Sequence, residues 1–290
     1  MPIPIPEAVD ANAALAATKA KQARRLPAYL LSSAFAGAFV GVAVVLLLSV
    51  GGRLVAAGAP YARLVQGAVF GIALTLVVFA GAELFTGNAM VMLQGIVGRT
   101  VTARQLAAVW VASLVGNVVG SVGFAWMVHA AGSLGAGGTP SKPGPGQALA
   151  TAIVTAKNAA SGSQLFWRAL LCNMLVCLAL WMAARAQTDG ARLAVLWWGL
   201  LAFIASGFEH SIANATTFTL AILDGSAAWV DLGRNLAWTV PGNVVGGGLL
   251  VGLGYAWIAR PEPARSRVEV PIVDVTATPA PAAASMASAT

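Results

Sequence analysis

Residues 81–88, GAELFTGN, and residues 207–214, GFEHSIAN, decide the fold. Each interrupts an apolar run with a glycine, then a glutamate, then an asparagine five positions after the glutamate. The three are Gly81, Glu83 and Asn88 in the first stretch and Gly207, Glu209 and Asn214 in the second. The offset is 126 residues, and a second pair of motifs keeps it: Gly116-Asn117-Val-Val-Gly120 and Gly242-Asn243-Val-Val-Gly246. In both halves the glutamate precedes the Gly-Asn asparagine by 34 residues. Two matches in one register mark an internal duplication.

The flanking sequence says where this duplication lies. The chain is 58% hydrophobic and 9% charged, against about 25% charged residues in soluble domains. Such a deficit fits a surface that faces lipid. Runs long enough to span a bilayer occur at Ala28–Val50, Leu64–Leu84, Leu106–Ala130, Leu165–Ala186, Leu193–Phe208 and Leu236–Ile258. The second runs into Glu83 and Gly87 and resumes at Met90–Val97; the fifth runs into Glu209-His210 and resumes at Ile212–Ile222. The expected fold is an all-α membrane protein of six transmembrane helices, with helices two and five broken near mid-membrane. Three spans per half is an odd number, so the second half enters from the opposite side, giving a 3+3 inverted repeat with its functional site at the repeat interface. Broken backbone at that depth must be satisfied by protein or line a water-filled cavity, which argues for a transport path. Gly116, Gly120, Gly242 and Gly246 are small-xxx-small pairs for close helix packing. Asn117 and Asn243 are expected to bond backbone groups freed by the breaks.

The remaining segments are connectors and tails. Residues 1–26 form a cytoplasmic segment carrying a helix at the membrane surface over 7–25, with Ala8, Val9, Ala13, Leu15 and Ala16 on its apolar side. A full-length span follows its basic residues with no cleavage site, unlike a secretory signal. Residues 27–260 make the transmembrane domain, and the Gly/Ser/Pro-rich 131–163 its longest loop. Residues 261–290, rich in Pro, Ala and Ser, are expected to be a disordered cytoplasmic tail. Both termini of a six-span chain share one side. That side takes eleven of the 17 Lys and Arg residues, so the positive-inside rule puts both termini in the cytoplasm. The formal charge of +7 is carried at the ends of apolar runs, not on one polar face, which argues against nucleic-acid binding. Cys172 and Cys177 lie inside an apolar run without metal-site spacing and read as small buried hydrophobes.

Ionisable residues inside the membrane are functional candidates because burying them is expensive. Glu83 and Glu209 are paired by the repeat and read as architectural: a carboxylate at a helix break can accept from orphan N–H groups. His210 is not required by symmetry, since Leu84 occupies its place in the first half, and it reads as a pore residue able to hand on a proton. His129 reads as interfacial, without a pore role. Lys157 and Arg168 flank the start of span four, either as ordinary snorkelling side chains or as a positive funnel for anions.

These stretches resemble the formate/nitrite transporter family. GAELFTGNAM (81–90), SGFEHSIANA (206–215) and ALLCNMLVCLALWMA (169–183) carry the likeness, and FGIALTL (70–76) with LLAFIASGFEHSIAN (200–214) looks most like its nitrite-channel members. The resemblance covers about residues 20–258. It implies an aquaporin-like fold assembled as a homopentamer, one pore per protomer, in the inner membrane. It implies apolar constrictions at Phe70, Leu74, Leu84, Phe85, Val176 and Phe203. His210 matches the central pore histidine, Thr86 and Asn173 its polar neighbours, and Lys157 a lysine that attracts anions. Glu209 and Asn214 complete the helix-five motif, and Asn88 sits where relatives vary. The implied substrate is a small monovalent anion, nitrite first, crossing as the neutral acid or with proton transfer at His210; formate and hydrosulfide are the alternatives.

Two other classes fit the sequence less well. A neutral-solute facilitator for water or glycerol suits the fold, but paired Asn-Pro-Ala boxes are missing and apolar constrictions oppose bulk water. A membrane enzyme would need more than Glu209-His210, which lacks the second histidine of a metal motif; no cofactor or metal is expected.

Overall fold

The computed structural model describes residues 1–139 and 142–260. The segment 261–290, expected to be a disordered tail, lies outside the described residues. The described elements are helices, with one isolated bridge between Thr139 and Lys142.

Helix α1 spans Ile5–Ala23, α2 Leu26–Ala56, α3 Ala62–Phe70, α4 Ile72–Phe79, α5 Phe85–Val97 and α6 Ala103–Ala130. The second half holds α7 Pro145–Ala159, α8 Gly162–Arg185, α9 Asp189–Ala205, α10 Ser211–Leu223 and α11 Trp229–Asn243. A π-helix over Val244–Leu253 and the short α12, Gly254–Ile258, continue α11. Five helical stretches are long and apolar enough to cross a membrane: Leu26–Ala56, Ala62–Phe79, Ala103–Ala130, Gly162–Arg185 and Trp229–Ile258. Helix α9, in the place of the fifth expected span, has 17 residues, and α10 adds 13 beyond a gap.

Local chemistry explains the stops. Gly81 and Gly207 adopt left-handed φ values of 78° and 73°. Behind them Ala82 N–H returns to Val77 O and Phe208 N–H to Phe203 O, both at 2.9–3.0 Å. That is the glycine-terminated helix end in which a left-handed residue closes the last carbonyls, and a side chain at either position would be strained. In α11, Pro241 removes a backbone donor in the last turn. Gly246, Gly247 and Gly248 then allow the widened π turn to press against its neighbours. Gln94 Nε2 donates to Gly252 O (3.4 Å) within this stretch.

Packing repeats between the halves. A Cβ on Gly120 of α6 would strike the Ala34 carbonyl of α2, and one on Gly246 would strike the Leu170 carbonyl of α8. Gly116 lies on Ser33 and Leu30 O, and Gly242 on Ala169 and Phe166 O. The main apolar cluster draws on α2 to α10 and includes Leu48, Phe70, Leu74, Leu84, Phe85, Val176, Leu200 and Phe203. Large side chains such as Phe35, Val111, Val119, Trp126, Trp167, Trp198 and Trp257 are left exposed, as a lipid-facing or subunit-facing surface requires.

One expectation is corrected. The segment 131–163 is not a plain loop: it holds a turn at Ser133–Gly135 and the 15-residue α7. Pro145 at the first turn starts that helix, and Leu149, Ala150 and Val154 bury its inner face. Helix α1 packs against the helical body. It packs on α5 through Ala8, Val9, Ala13 and Ala16, with Asn12 Nδ2 donating to Gln94 Oε1 (2.8 Å). Leu15, assigned to its apolar side, is 42% exposed and lines a cavity.

The glycine contacts predict a selective packing defect. Gly246→Ala forces a methyl against the Leu170 backbone, whereas Gly123→Ala meets open space. Overpacking costs about 1–3 kcal/mol. Heated in detergent, Gly246→Ala should lose its monodisperse size-exclusion peak at a lower temperature than the parent, and Gly123→Ala should not.

Candidate functional site

The site is built from the two gaps, 80–84 and 206–210. A helix that starts at a buried gap exposes N–H groups that water cannot meet. Asn117 of α6 and Asn243 of α11 meet them in the same way. Phe85 N–H donates to Asn117 Oδ1 (2.8 Å), and Asn117 Nδ2 donates to Ser33 O (2.7 Å) and Glu83 O (2.8 Å). Ser211 N–H donates to Asn243 Oδ1 (3.0 Å), and Asn243 Nδ2 donates to Ala169 O (2.7 Å) and Glu209 O (3.0 Å). One amide thus ties the start of a half-helix, the residue before its cap and the adjacent long helix.

The glutamate carboxylates do something else, which corrects the expectation that they accept orphan N–H groups. The asparagines already hold those donors, and each glutamate side chain points to a cavity and a lysine. Glu83 takes Lys19 Nζ on both oxygens (2.8 and 2.7 Å), Tyr29 OH (3.1 Å) and Asn88 Nδ2 (3.2 Å). Glu209 takes Lys157 Nζ (2.6 Å) and Asn214 Nδ2 (2.7 Å). Asn88 and Asn214 therefore bind each gap back to the first turns of α5 and α10. Asn214 also donates to Asn235 Oδ1 (2.8 Å). Lys19 sits on α1 and Lys157 on α7, so each half carries a short helix ahead of its first long helix, and that helix supplies the cation.

Each pair borders a cavity. One, of about 670 Å³, lies under α1 and is lined by Lys19, Arg25, Tyr29, Glu83, Leu84 and Asn88 among others. The other, of about 590 Å³, lies under α7 and is lined by Phe70, Lys157, Phe203, Glu209, His210 and Asn214 among others. No residue lines both. Between them lies the apolar cluster. Phe70, Leu74, Leu84, Phe85, Val176 and Phe203 all belong to it and are all at least 96% buried. The Phe70 and Phe203 rings meet edge to face at 5.7 Å, and Phe203 stacks on His210 at 5.8 Å.

His210 is the N-cap of α10. Its Nδ1 accepts from Ala213 N–H at 3.2 Å, and its Nε2 lies 3.2 Å from Thr86 Oγ1 in the first turn of α5. Because Nδ1 is the acceptor, the capped ring is neutral with its proton on Nε2. The contact with Thr86 brings the positive ends of α5 and α10 together at the plug. Asn173 is not hydrogen-bonded to His210. Its Nδ2 donates to Thr86 O (3.1 Å) and Asn243 O (2.7 Å), joining the first turn of α5 to the end of α11, and Cys177 Sγ also contacts Thr86 O (3.3 Å). A Cβ on Gly247 would strike Asn173 Nδ2, so that glycine makes room for the link. His129 lies away from this centre, paired with Asp224 at 2.9 Å.

Sequence reasoning missed Lys19, Tyr29 and Asn235 as members of the two networks. Tyr29 and Asn235 sit inside long helices with nothing to mark them. The signal for Lys19 was its place: a basic residue one short helix before the first span, as Lys157 stands before the fourth.

A family model described as Formate/nitrite transporter matches residues 7–257. The nitrite transporter NirC of Salmonella typhimurium is 40% identical over 250 residues, 84% of this chain and 88% of that protein. Among solved structures, an FNT family ion channel superposes with a TM-score of 0.79 at 39% identity, covering 88% of this chain and 99% of its own. A pentameric formate channel with formate bound gives 0.68 at 27% identity, covering 81% and 98%.

The asparagine links predict a pair of equivalent defects. Asn243→Ala strands Ser211 N–H and the carbonyls of Glu209 and Ala169, and each stranded buried group costs about 1–3 kcal/mol. Asn117→Ala strands the corresponding three. Both variants should reach the membrane in reduced amount and unfold at lower temperature in detergent. Asn158→Ala, off these links, should behave as the parent in the same assay.

Proposed function

The chain belongs to the formate/nitrite transporter family, and on that premise we propose that it is a membrane channel for a small monovalent anion, with nitrite as its substrate. Six crossings are read as a 3+3 inverted repeat: α2, α3–α4 with α5, and α6 in one half; α8, α9 with α10, and α11 to α12 in the other. The matching asparagine links and glycine contacts support that reading. Residues 27–260 form the channel, and 1–26 carry α1 over one mouth. The excess of Lys and Arg on the side of the termini supports a cytoplasmic location for both, in an inner membrane. A pentameric relative and a belt of exposed large apolar side chains support a homopentamer.

The observation that carries the proposal is a single polar contact, His210 Nε2 with Thr86 Oγ1, set in an apolar plug between two cavities that each present a lysine. A bare anion in such a plug is prohibitively costly, by tens of kcal/mol in the Born limit. The lysines draw anions into the cavities. In the plug, the Nε2–H of His210 and the converging ends of α5 and α10 lower the cost of the charge. Passage as the neutral acid removes most of it. Direct proton transfer requires the ring to take a second proton on Nδ1, at the expense of the Ala213 cap. Nitrite is preferred because the chain is 40% identical to a nitrite transporter, against 35% to a probable formate transporter. Formate and hydrosulfide have the same charge and acid–base character and are the alternatives. A water or glycerol facilitator is disfavoured by the dry plug.

Proteoliposomes loaded with the channel and offered nitrite or formate at two external pH values test this. Nitrite uptake should exceed formate uptake and rise as the external pH falls. His210→Asn keeps an N-cap acceptor while removing the ring, so it should assemble normally yet change the rate and its pH response. Absence of nitrite, formate and hydrosulfide flux from the assembled parent channel would refute the proposal.

A further inference from the structure

The α7 cavity carries more positive charge than its pairs use. Lys157 is committed to Glu209. Arg63, on the first turn of α3, and Arg168, on α8, line the same cavity, and neither guanidinium has a hydrogen-bond or ion-pair partner among the described residues. Both stand at the gap that leads to His210. The Arg63 Nη1 lies 3.6 Å from where a Cβ on Gly207 would be. The Arg168 carbonyl accepts from Glu209 N–H at 3.3 Å, which fixes the root of its side chain beside the Lys157–Glu209 pair. The α1 cavity differs. There Lys19 is held by Glu83 and Arg192 by Asp189 (3.0 Å), leaving Arg25.

We propose that Arg63 and Arg168 form a capture site in the α7 cavity for a planar anion with two oxygens on one atom, and that this site sets the channel's preference for such anions at that mouth. The inference rests on the channel reading and adds a specificity element that the plug does not hold. Nitrite and formate share this O–X–O shape. A guanidinium presents parallel N–H donors that match it two to two, whereas a lysine ammonium acts as a point charge. Hydrosulfide, with one charged atom, gains only the general attraction. The apolar side chains of the plug have no donor with which to tell these anions apart. Arg63 is exposed, so its attraction is screened and weak. That suits a path in which an ion must leave as readily as it enters.

The test uses the assembled full-length channel in vesicles sorted through a C-terminal tag, so that either the α7 or the α1 mouth faces out. Uptake of nitrite and of hydrosulfide is measured against concentration for the parent, Arg63→Lys, Arg168→Lys and the double variant, all of which keep the charge. The double variant should raise the half-saturating nitrite concentration at the α7 mouth roughly two- to fivefold. Its hydrosulfide curve and its nitrite uptake through the α1 mouth should not move. Hydrosulfide flux doubles as the check on assembly, and the single variants decide if the double one fails to assemble. An equal shift for both anions, or no shift for nitrite, would overturn the capture site while leaving the channel reading standing. A parent that passes neither anion would remove that reading, and the capture site with it.

Discussion

A helix that starts at a buried gap needs partners for its first N–H groups, and here one asparagine side chain supplies one in each half. Asn117 and Asn243 each accept one N–H and satisfy two carbonyls. The rest of the centre follows from that. With the backbone closed by the asparagines, the glutamates can turn outward to the lysines, the half-helix starts can be brought nose to nose, and the plug between them can stay apolar. Had the glutamates been needed at the N–H groups, no carboxylate would remain to hold Lys19 and Lys157 at the cavity walls.

Much of this was legible in the sequence because the repeat is written in residue types that a membrane otherwise excludes. Gly81 and Gly207, with Glu83 and Glu209 following, mark the stops, and the left-handed φ at each glycine is the physical content of the motif. The Gly116/Gly120 and Gly242/Gly246 pairs mark the helix contacts, and each glycine lies against the backbone of a neighbouring long helix. What stayed hidden needed three dimensions. Helix α7 lies in a Gly/Pro-rich stretch whose short apolar pattern, Leu149, Ala150 and Val154, is too brief to read as a periodic face. The kinship of α1 and α7 leaves no matching residues beyond the lysines, so it shows only when both reach their glutamates. The π turn after Pro241 has no sequence rule precise enough to place it.

The Asn173 contacts change how the centre is understood. The family resemblance makes Asn173 a polar neighbour of the histidine. Its amide in fact spans the carbonyls of Thr86 and Asn243, one from each half. It acts on the histidine at one remove, by fixing the turn that carries the Thr86 hydroxyl. Gly247 belongs to the same device, because any side chain there would displace the amide. The two halves are thus bonded to each other by a residue from α8 that has no partner across the repeat.

The repeat is broken at the apolar plug. Leu84 caps α5 with no side-chain bond, while His210, in the equivalent position, accepts from Ala213 N–H and faces Thr86. Two leucines would leave a plug without a donor, and two histidines would hydrate it and open it to water. One histidine gives a dry plug with a single N–H at its centre. The cap bond also decides which nitrogen offers it. Nδ1 is occupied as an acceptor, so the proton stands on Nε2, the nitrogen that faces Thr86. The ring therefore faces α10 and Thr86 with different atoms, and a second proton would have to enter on the side that holds the helix together. Asymmetry at this one cap, within an otherwise duplicated frame, is what gives a paired architecture a single polar centre.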